Sequence, residues 1–383
     1  MEETTENSSV LYQERIRIDF SAIGHNIIGT VLTITTLVGI FANSFGILIF
    51  VKHKHLRSPT NLFVAGLATC DLLMLVLAIP LAAVSSFSHH WVGGYPTCVF
   101  EGFLVYFLGL TSLYLLCAIS IDRYIVIALP MKSALVTKRV AVCAIVGCYG
   151  LGFFWAMLPL LGWNSYQLEG LMTSCAVLWD TTNAKDYSYN VVIFFTCFIF
   201  PIIIMCFCYH QVYRTVRAVS RNNKWDVGTR VTKRKLKLER NIAITILIMI
   251  VVFVCCWTPY AIVSFWAAFG NSSDIPLLVA GLPPYIAKTA CVWNPIIYIC
   301  TNKQFRTAFF DILPCEILRR RSVESNEMNN FVSARAGTSI NPEVSMRHQN
   351  ERPDVSDQTK QSNVSSNEVK NANDDVVNEF VAE

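Results

Sequence analysis

The chain has 383 residues, of which 53% are hydrophobic and 15% are charged, and its formal net charge is +4. This apolar content excludes an ordinary soluble protein, although the length alone would allow two or three soluble domains. We expect an extracellular segment over 1–25, a membrane domain with a surface helix over 26–313, and a polar, disordered cytoplasmic tail over 314–383. Because the first apolar run starts near Asn26, we expect the first membrane helix to act as the signal anchor.

Seven apolar segments are each long enough to cross a bilayer as a helix, which takes about 20 apolar residues. The segments are too long and too uniformly apolar for the strands of a membrane barrel. The sequence therefore predicts an all-α membrane protein built as a seven-transmembrane helix bundle. The predicted helices cover residues 26–51, 61–85, 97–121, 140–162, 190–213, 241–267 and 277–300.

Basic residues are shared unequally between the connecting loops. The connections after the first, third and fifth helices carry Lys and Arg, whereas the loops "SFSHHWVGGYPT" and "FGNSSDIP" carry neither. The positive-inside rule therefore places the N-terminus outside the cell and the C-terminus in the cytoplasm of a multi-pass protein of the cell membrane. In this orientation the sequon at Asn7 is a candidate for glycosylation.

A short amphipathic segment follows the seventh helix. The stretch "ICTNKQFRTAFFDILPCEILRRR" predicts a helix on the membrane surface, with Phe305, Phe309 and Phe310 toward lipid and basic residues toward the headgroups. Cys315, at the end of this helix, is a candidate for palmitoylation.

Several polar side chains interrupt the apolar helices, and such groups are costly in a membrane. Asn43, Asp71, Ser112 and Asn294 come from the first, second, third and seventh helices. We expect these four to share one hydrogen-bonded cluster, with water or sodium as a candidate further member. Two roles stay open, a structural one that holds the helices together and a switching one.

Charged residues mark the cytoplasmic end of the third helix. The triplet Asp122, Arg123 and Tyr124 ends this helix, and Glu239 lies at the start of the sixth. One interpretation is that these are ordinary interface charges. The other is an ion pair between Arg123 and Glu239 that must break before a cytoplasmic partner binds, which would make it a switch.

Two further features concern the sixth helix and the outer loops. Pro259 removes a backbone hydrogen bond in mid-helix and predicts a hinge below Trp257. Cys98 begins the third helix and Cys175 lies in the long loop after the fourth. Both face an oxidising space, so we expect a disulfide between them that pins this loop over the bundle.

These motifs, in this order, resemble the rhodopsin class of G-protein-coupled receptors over residues 26–313. The stretch "NPIIY" contains Asn294, Pro295 and Tyr298, and a lysine, Lys288, precedes its proline by seven residues. That lysine is typical of animal opsins, and "NKQFR", with Asn302, Lys303 and Gln304, also resembles them. Tyr149 stands where the fourth helix usually has a tryptophan, a departure that favours an invertebrate opsin, with a cnidarian one as a candidate.

The resemblance implies that Lys288 binds retinal, as the 11-cis or a related isomer, through a Schiff base. A desolvated lysine is a good nucleophile toward an aldehyde, and the resulting buried cation needs an anion. Glu101 and Glu169 both match counterion positions of opsins, and we favour Glu101 because it lies on a rigid helix. The remaining residues that line the retinal pocket by this resemblance are Tyr106, Gly109, Phe198, Trp257 and Tyr260.

The resemblance also implies a mechanism and partners. Light changes the shape of retinal against Trp257, the sixth helix swings outward at Pro259, and Arg123 is released. Tyr209 and Tyr298 then hold the open state, to which a heterotrimeric G protein binds. A receptor kinase and arrestin are expected at the tail, and neither a metal, nucleic acid nor enzymatic activity is expected.

Two other functions are compatible with parts of the sequence. The first is an enzyme, a retinal photoisomerase that uses the same lysine without signalling, and the intact cytoplasmic motifs argue against it. The second is a receptor for a diffusible ligand in which Lys288 only pairs with Glu101. Val105 stands where amine receptors have an aspartate, which disfavours a biogenic amine, and binding of retinal would distinguish the two receptors.

Overall fold

Long apolar helices make up most of the computed structural model, which describes residues 20–221 and 230–312. Asn7, Cys315 and the tail over 314–383 lie outside the described residues. The helical parts form seven spans: Ala22–Lys52; Pro59–Leu77 with Ile79–Ser88; Tyr95–Ala128; Lys138–Met157; Ala184–Phe194, Phe195–Ile199 and Phe200–Arg221; Arg230–Phe269; and Leu277–Gly281, Pro283–Lys288 and Ala290–Thr301. The first six spans are long and apolar enough to cross a membrane, and the seventh consists of shorter apolar helices.

Side-chain caps and prolines fix where several spans begin and break. Ser58 accepts a hydrogen bond from the backbone N–H of Asn61, and Pro59 occupies the first turn of the second span. The span expected over 61–85 is present as Pro59–Ser88, with a local interruption at Ala78 beside Pro80, which lacks an N–H donor. The fifth span contains a π-helical turn over Phe195–Ile199.

The seventh span also differs from its predicted form. One helix was expected over 277–300, but the span consists of three helices, with breaks at Leu282 and Thr289. Two prolines at the first turn of Pro283–Lys288 end the preceding helix, because a proline cannot donate to a carbonyl one turn earlier. The second break comes directly after Lys288, so this lysine ends a short helix rather than lying in the middle of a long one.

The third span lies at the centre of the bundle and packs against the second, fourth, fifth and sixth spans. Lipid is as apolar as leucine, so helices in a membrane associate through close packing and hydrogen bonds. Gly152 of the fourth span shows how close this packing is. A Cβ at this position would overlap Thr111 Oγ1 and lie 2.8 Å from the Phe107 carbonyl oxygen of the third span.

A two-stranded lid connects the fourth and fifth spans. Strand β1, Tyr166–Glu169, pairs antiparallel with strand β2, Ser174–Val177, and Glu169 lies opposite Ser174. A disulfide joins Cys175 of β2 to Cys98 of the third span, as expected. The disulfide holds one end of the lid against the top of the third span.

A short helix, Lys303–Ile312, follows the seventh span, as predicted. Asn302 caps it, because its side-chain oxygen accepts hydrogen bonds from the backbone N–H groups of Gln304 and Phe305. The expectation that Phe305 faces lipid is wrong. Its side chain is buried, with ring centroids 5.3 Å from Phe50 and 4.9 Å from Tyr298, so it fastens the surface helix to the first and seventh spans.

Candidate functional site

Lys288 is the most deeply buried lysine among the described residues, with 1% of its surface exposed. It ends the helix Pro283–Lys288, and its Nζ donates a hydrogen bond of 2.6 Å to Ser174 Oγ of the lid. The same Nζ lies 3.4 Å from Glu101 Oε1 of the third span. A buried cation without an anion would be strongly destabilising, so this pairing explains how the fold tolerates the lysine.

Ser174 lies between the two glutamates that were predicted as candidate counterions. Its Oγ lies 3.5 Å from Glu101 Oε1 and 3.4 Å from Glu169 Oε1. A hydroxyl group carries one proton, and Ser174 already accepts from Lys288, so it donates to only one of the two glutamates at a time. Glu101 is fully buried and its Oε2 also accepts a 2.7 Å hydrogen bond from the backbone N–H of Cys175.

Glu169 has a different set of partners. Its Oε2 accepts a 3.1 Å hydrogen bond from the Tyr260 hydroxyl of the sixth span, and Trp179 Nε1 donates to the same hydroxyl at 2.9 Å. Burial raises the pKa of the Glu169 carboxyl to about 7, and the negative charge of Glu101 adds to this rise. The nearby Lys288 and the hydrogen bonds from Tyr260 and Ser174 act in the opposite direction.

The raised pKa of Glu169 gives a prediction for stability against pH. Between 4.5, its ordinary value, and about 7, the folded protein holds a proton that the unfolded chain has released. The free energy of unfolding therefore falls as the pH rises through this window, and Glu169 adds no further slope outside it. Glu169→Gln removes this slope, because glutamine does not titrate. We expect the variant to gain stability over the wild type as the pH rises from 4.5 to about 7.

The measurement is the temperature of half-unfolding of the purified, retinal-free protein across this pH range. Asp180→Asn is the matched control, because Asp180 is an exposed carboxylate of the same loop. It should keep the wild-type slope. Equal slopes for the wild type and Glu169→Gln would show that Glu169 is charged throughout the window.

Two neighbouring cavities extend from this cluster into the bundle. The smaller, of about 20 Å³, is lined by Lys288 and Glu169, and the larger, of about 90 Å³, is lined mainly by apolar side chains. Tyr106, Trp257 and Tyr260 line both cavities. An amine and two carboxylates therefore lie at one end of an apolar space.

The larger cavity contains the other residues expected in the pocket, Gly109 and Phe198. A Cβ on Gly109 would lie 2.8 Å from Trp257, so only glycine leaves room for this indole. The donor set and the apolar walls fit an elongated apolar aldehyde. The residues present thus fit retinal.

The expected polar cluster around Asp71 is present in part. Ser112 Oγ donates to Asp71 Oδ1 at 3.4 Å, and Asn294 Nδ2 donates to Asp71 Oδ2 at 2.9 Å. Among the described residues, Asn43 makes no direct hydrogen bond to these three. Its Nδ2 donates to the backbone carbonyls of Gly39 and Cys291, so it fixes the first span to the backbone of the seventh.

At the other end of the bundle, Arg123 is almost fully buried and forms ion pairs of 2.6 Å with both Asp122 and Glu239. The structure thus brings together the two charges that the sequence analysis paired across the third and sixth spans. Thr60 of the second span completes this group, because its hydroxyl donates to Asp122 Oδ2 at 2.8 Å and also accepts from Arg123.

Three aromatic residues lie near these charges. The Tyr209 hydroxyl donates to the carbonyl oxygen of Ala243 at 3.3 Å, and the Tyr298 hydroxyl donates to Asn61 Oδ1 at 2.7 Å. The Tyr124 ring lies edge-on to Phe207 of the fifth span. The three side chains therefore link the second, third, fifth, sixth and seventh spans at this end.

Comparisons with known proteins identify the family. The profile of the 7 transmembrane receptor (rhodopsin family) matches residues 42–298. The chain is 32% identical to the visual pigment-like receptor peropsin of Homo sapiens, over 80% of this chain and 90% of peropsin. It is 36% identical to the GQ-coupled rhodopsin of Mizuhopecten yessoensis, over 76% of this chain and 60% of that protein. The crystal structure of squid rhodopsin matches with a TM-score of 0.71 and 29% identity, over 77% of this chain and 87% of that chain.

The chain is an animal opsin. It is a multi-pass membrane protein and a light-activated, retinal-binding member of the rhodopsin family of G-protein-coupled receptors. The comparisons favour neither the photoisomerase nor the diffusible-ligand receptor.

Sequence reasoning missed three polar side chains of the opsin. Ser174, Trp179 and Thr60 contact the residues that were expected at the two ends of the bundle. Ser174 precedes the disulfide-bonded Cys175, which was the one available signal that it lies near the third span. Trp179 and Thr60 had no comparable signal, because a tryptophan in a loop and a threonine in the first turn of a helix are common.

Proposed function

We propose that the opsin holds retinal through a covalent bond to Lys288 Nζ, with Glu101 as the counterion. Retinal supplies an aldehyde that condenses with an amine and a polyene that absorbs visible light and isomerises, and we propose the 11-cis or a related isomer for the dark state. The observation that carries the proposal is the buried Lys288 Nζ, 3.4 Å from Glu101 Oε1, at the end of an apolar cavity.

Glu101 is the better counterion of the two glutamates for three reasons. It makes the direct contact with Lys288 Nζ, it is completely buried, and the backbone N–H of Cys175 holds it in place. Glu169 reaches the same nitrogen only through Ser174 and is bonded to Tyr260. We propose that Glu169 tunes the site from the lid.

The sixth span connects the pocket to the cytoplasmic end. Trp257 lines the pocket and Pro259 lies two residues further along the same helix, Arg230–Phe269. We propose that Trp257 responds to the changed shape of the pocket and that the span moves outward at Pro259. This motion separates Glu239 from Arg123, while Tyr209 and Tyr298 leave their present partners and stabilise the open state.

The cytoplasmic partner in this proposal is a heterotrimeric G protein, with a receptor kinase and arrestin acting later at the tail. The surface helix that begins at Lys303 and is capped by Asn302 would lie beside the G protein. We propose that the N-terminus is extracellular, following the distribution of basic loops. The opsin signals and has no enzymatic activity in this proposal, because its switch residues are intact.

The function is tested by nucleotide exchange on G proteins, with the opsin reconstituted in the dark with 11-cis retinal. A panel of G-protein classes is used, and Gq is tried first because one relative is named GQ-coupled. We expect exchange by the wild type only after illumination.

In Glu239→Gln we expect exchange in the dark as well. A partly exposed ion pair contributes about 0.5–1 kcal/mol, which is about two- to fivefold in the population of the open state.

Lys237→Gln is the matched control, since this exposed charge lies on the same helix and has no ion pair among the described residues. It should show the dark activity of the wild type. A wild-type pigment that absorbs visible light but activates no G protein of the panel would contradict signalling.

A further inference from the structure

Two histidines form a pair at the lid end of the bundle, outside the retinal site. His25 belongs to the first span, and His89 follows the helix Ile79–Ser88 of the second. Their ring centroids lie 5.5 Å apart, with 33° between the ring planes. Ser86, three residues before His89, contacts Thr173 of the lid, which places the pair at this end.

The hydrogen bond between His89 and Asn26 shows which ring nitrogen of His89 is available to bind a metal ion. Its Nε2 lies 3.1 Å from Asn26 Oδ1, and an amide oxygen only accepts, so Nε2 carries the proton. The Nδ1 of His89 then has its lone pair available. Histidines that bind metals usually donate their other ring N–H to an oxygen in this way, which fixes the tautomer and the ring orientation.

His25 has a nitrogen that the fold leaves unpaired. The side chain is 3% exposed, and its Nδ1 is buried without a hydrogen-bond partner in the part of the chain that the structure describes. Buried polar atoms are nearly always paired, and a bound water or ion would supply the partner that this nitrogen lacks.

The spacing of the rings suits a single metal ion. With Zn–N bonds of about 2.0–2.1 Å and tetrahedral angles, two imidazoles on one zinc have ring centres about 5 Å apart. The observed separation is 5.5 Å. Imidazole nitrogens suit zinc and similar late transition metals, whereas calcium and magnesium take oxygen donors.

We propose that His25 and His89 bind one Zn²⁺ ion, with water completing the coordination and Asn26 orienting His89. The ion would join the first span to the segment that leads from the second span to the third. Because it binds the folded state, it would raise the unfolding temperature of the opsin as the zinc concentration rises.

The test is a ZnCl₂ titration of the full-length opsin, freed of metal and competing with a chromophoric chelator. We expect one zinc per opsin. His25→Phe and His89→Ala should each weaken binding by about tenfold or more, and Asn26→Ala by about tenfold. His90→Ala is the matched control and should bind as the wild type, because His90 is an exposed neighbour whose Nδ1 is hydrogen-bonded to the Ser88 carbonyl oxygen.

A second measurement guards against misfolding. Each variant is melted without zinc, and only variants that unfold at the wild-type temperature are compared. Zinc K-edge X-ray absorption of the loaded wild type should then show two imidazole ligands. Wild-type affinity in both His25→Phe and His89→Ala, or an equal loss in His90→Ala, would overturn the proposal.

Discussion

Lys288→Ala should abolish the visible absorption band that the wild-type opsin forms when it is mixed with 11-cis retinal in the dark. Alanine has no amine to condense with the aldehyde, and Lys288 is the only lysine that lines either of the two cavities described above. The loss should be complete rather than partial, because it removes the covalent attachment itself. The measurement is the absorption spectrum of the purified protein, before and after illumination.

Folding of the variant has to be shown independently, since Lys288→Ala leaves Glu101 buried without its partner. Unpaired buried charges cost several kcal/mol, so Lys288→Ala combined with Glu101→Gln is measured in parallel. A small primary amine supplied with retinal should restore a band in a folded variant, because it replaces the missing group. Lys185→Ala, at an exposed lysine of the fifth span, should keep the wild-type band. A persistent band in Lys288→Ala would assign the attachment to another residue.

The spans were predictable because hydropathy along the chain is a local property. Twenty apolar residues must form a helix in lipid, whatever the rest of the protein does. The breaks within the spans were less accessible. Pro80 and Pro283 were visible in the sequence, but whether a proline stays inside a helix, as Pro259 does in the sixth span, or ends it depends on the neighbouring helices.

The sequence indicated which polar residues inside the helices are functional candidates, since each one is costly in lipid. The sequence did not indicate which residues they contact. Asn43 was expected in one cluster with Asp71, and the direct partner that the sequence did not reveal is the backbone of the seventh span at Cys291. Phe305 was expected to face lipid, but it packs against the first and seventh spans. The hydropathy of a residue does not tell whether lipid or another helix covers its side chain. These contacts join residues that are about 250 positions apart in the chain, and only the packed bundle defines them.

The sequence also could not decide which of the two glutamates is the counterion, because their partners are not visible in it. Glu101 and Glu169 are both glutamates near Cys98 or Cys175 in sequence, and both reach Ser174. What separates them is their second partner. Glu101 accepts from a fixed backbone N–H, whereas Glu169 accepts from Tyr260 on the span that we propose to move. A counterion on the rigid third span keeps its position in the dark state, and a lid carboxylate bonded to the sixth span is exposed to its motion.

Glu101→Gln should therefore move the absorption band of the dark pigment from the visible into the ultraviolet at neutral pH. Removing one partner of a buried ion pair costs about 3–5 kcal/mol, and the protonated nitrogen at Lys288 would lose that stabilisation. The nitrogen then releases its proton, and an unprotonated linkage absorbs at shorter wavelength. Glutamine keeps the size of the side chain, so it still accepts from the Cys175 N–H and the lid stays in place.

Glu169→Gln is the matched comparison, because it makes the same chemical change 3.4 Å from the same serine hydroxyl. We expect its band to stay visible, since Glu101 still lies 3.4 Å from Lys288 Nζ. Acid titration of Glu101→Gln should bring the visible band back as the nitrogen is protonated again, and a small anion such as chloride should favour this by taking the place of the carboxylate. A visible band in Glu101→Gln together with an ultraviolet band in Glu169→Gln would make the lid glutamate the counterion. In that case the direct contact between Glu101 and Lys288 would belong to the retinal-free protein alone.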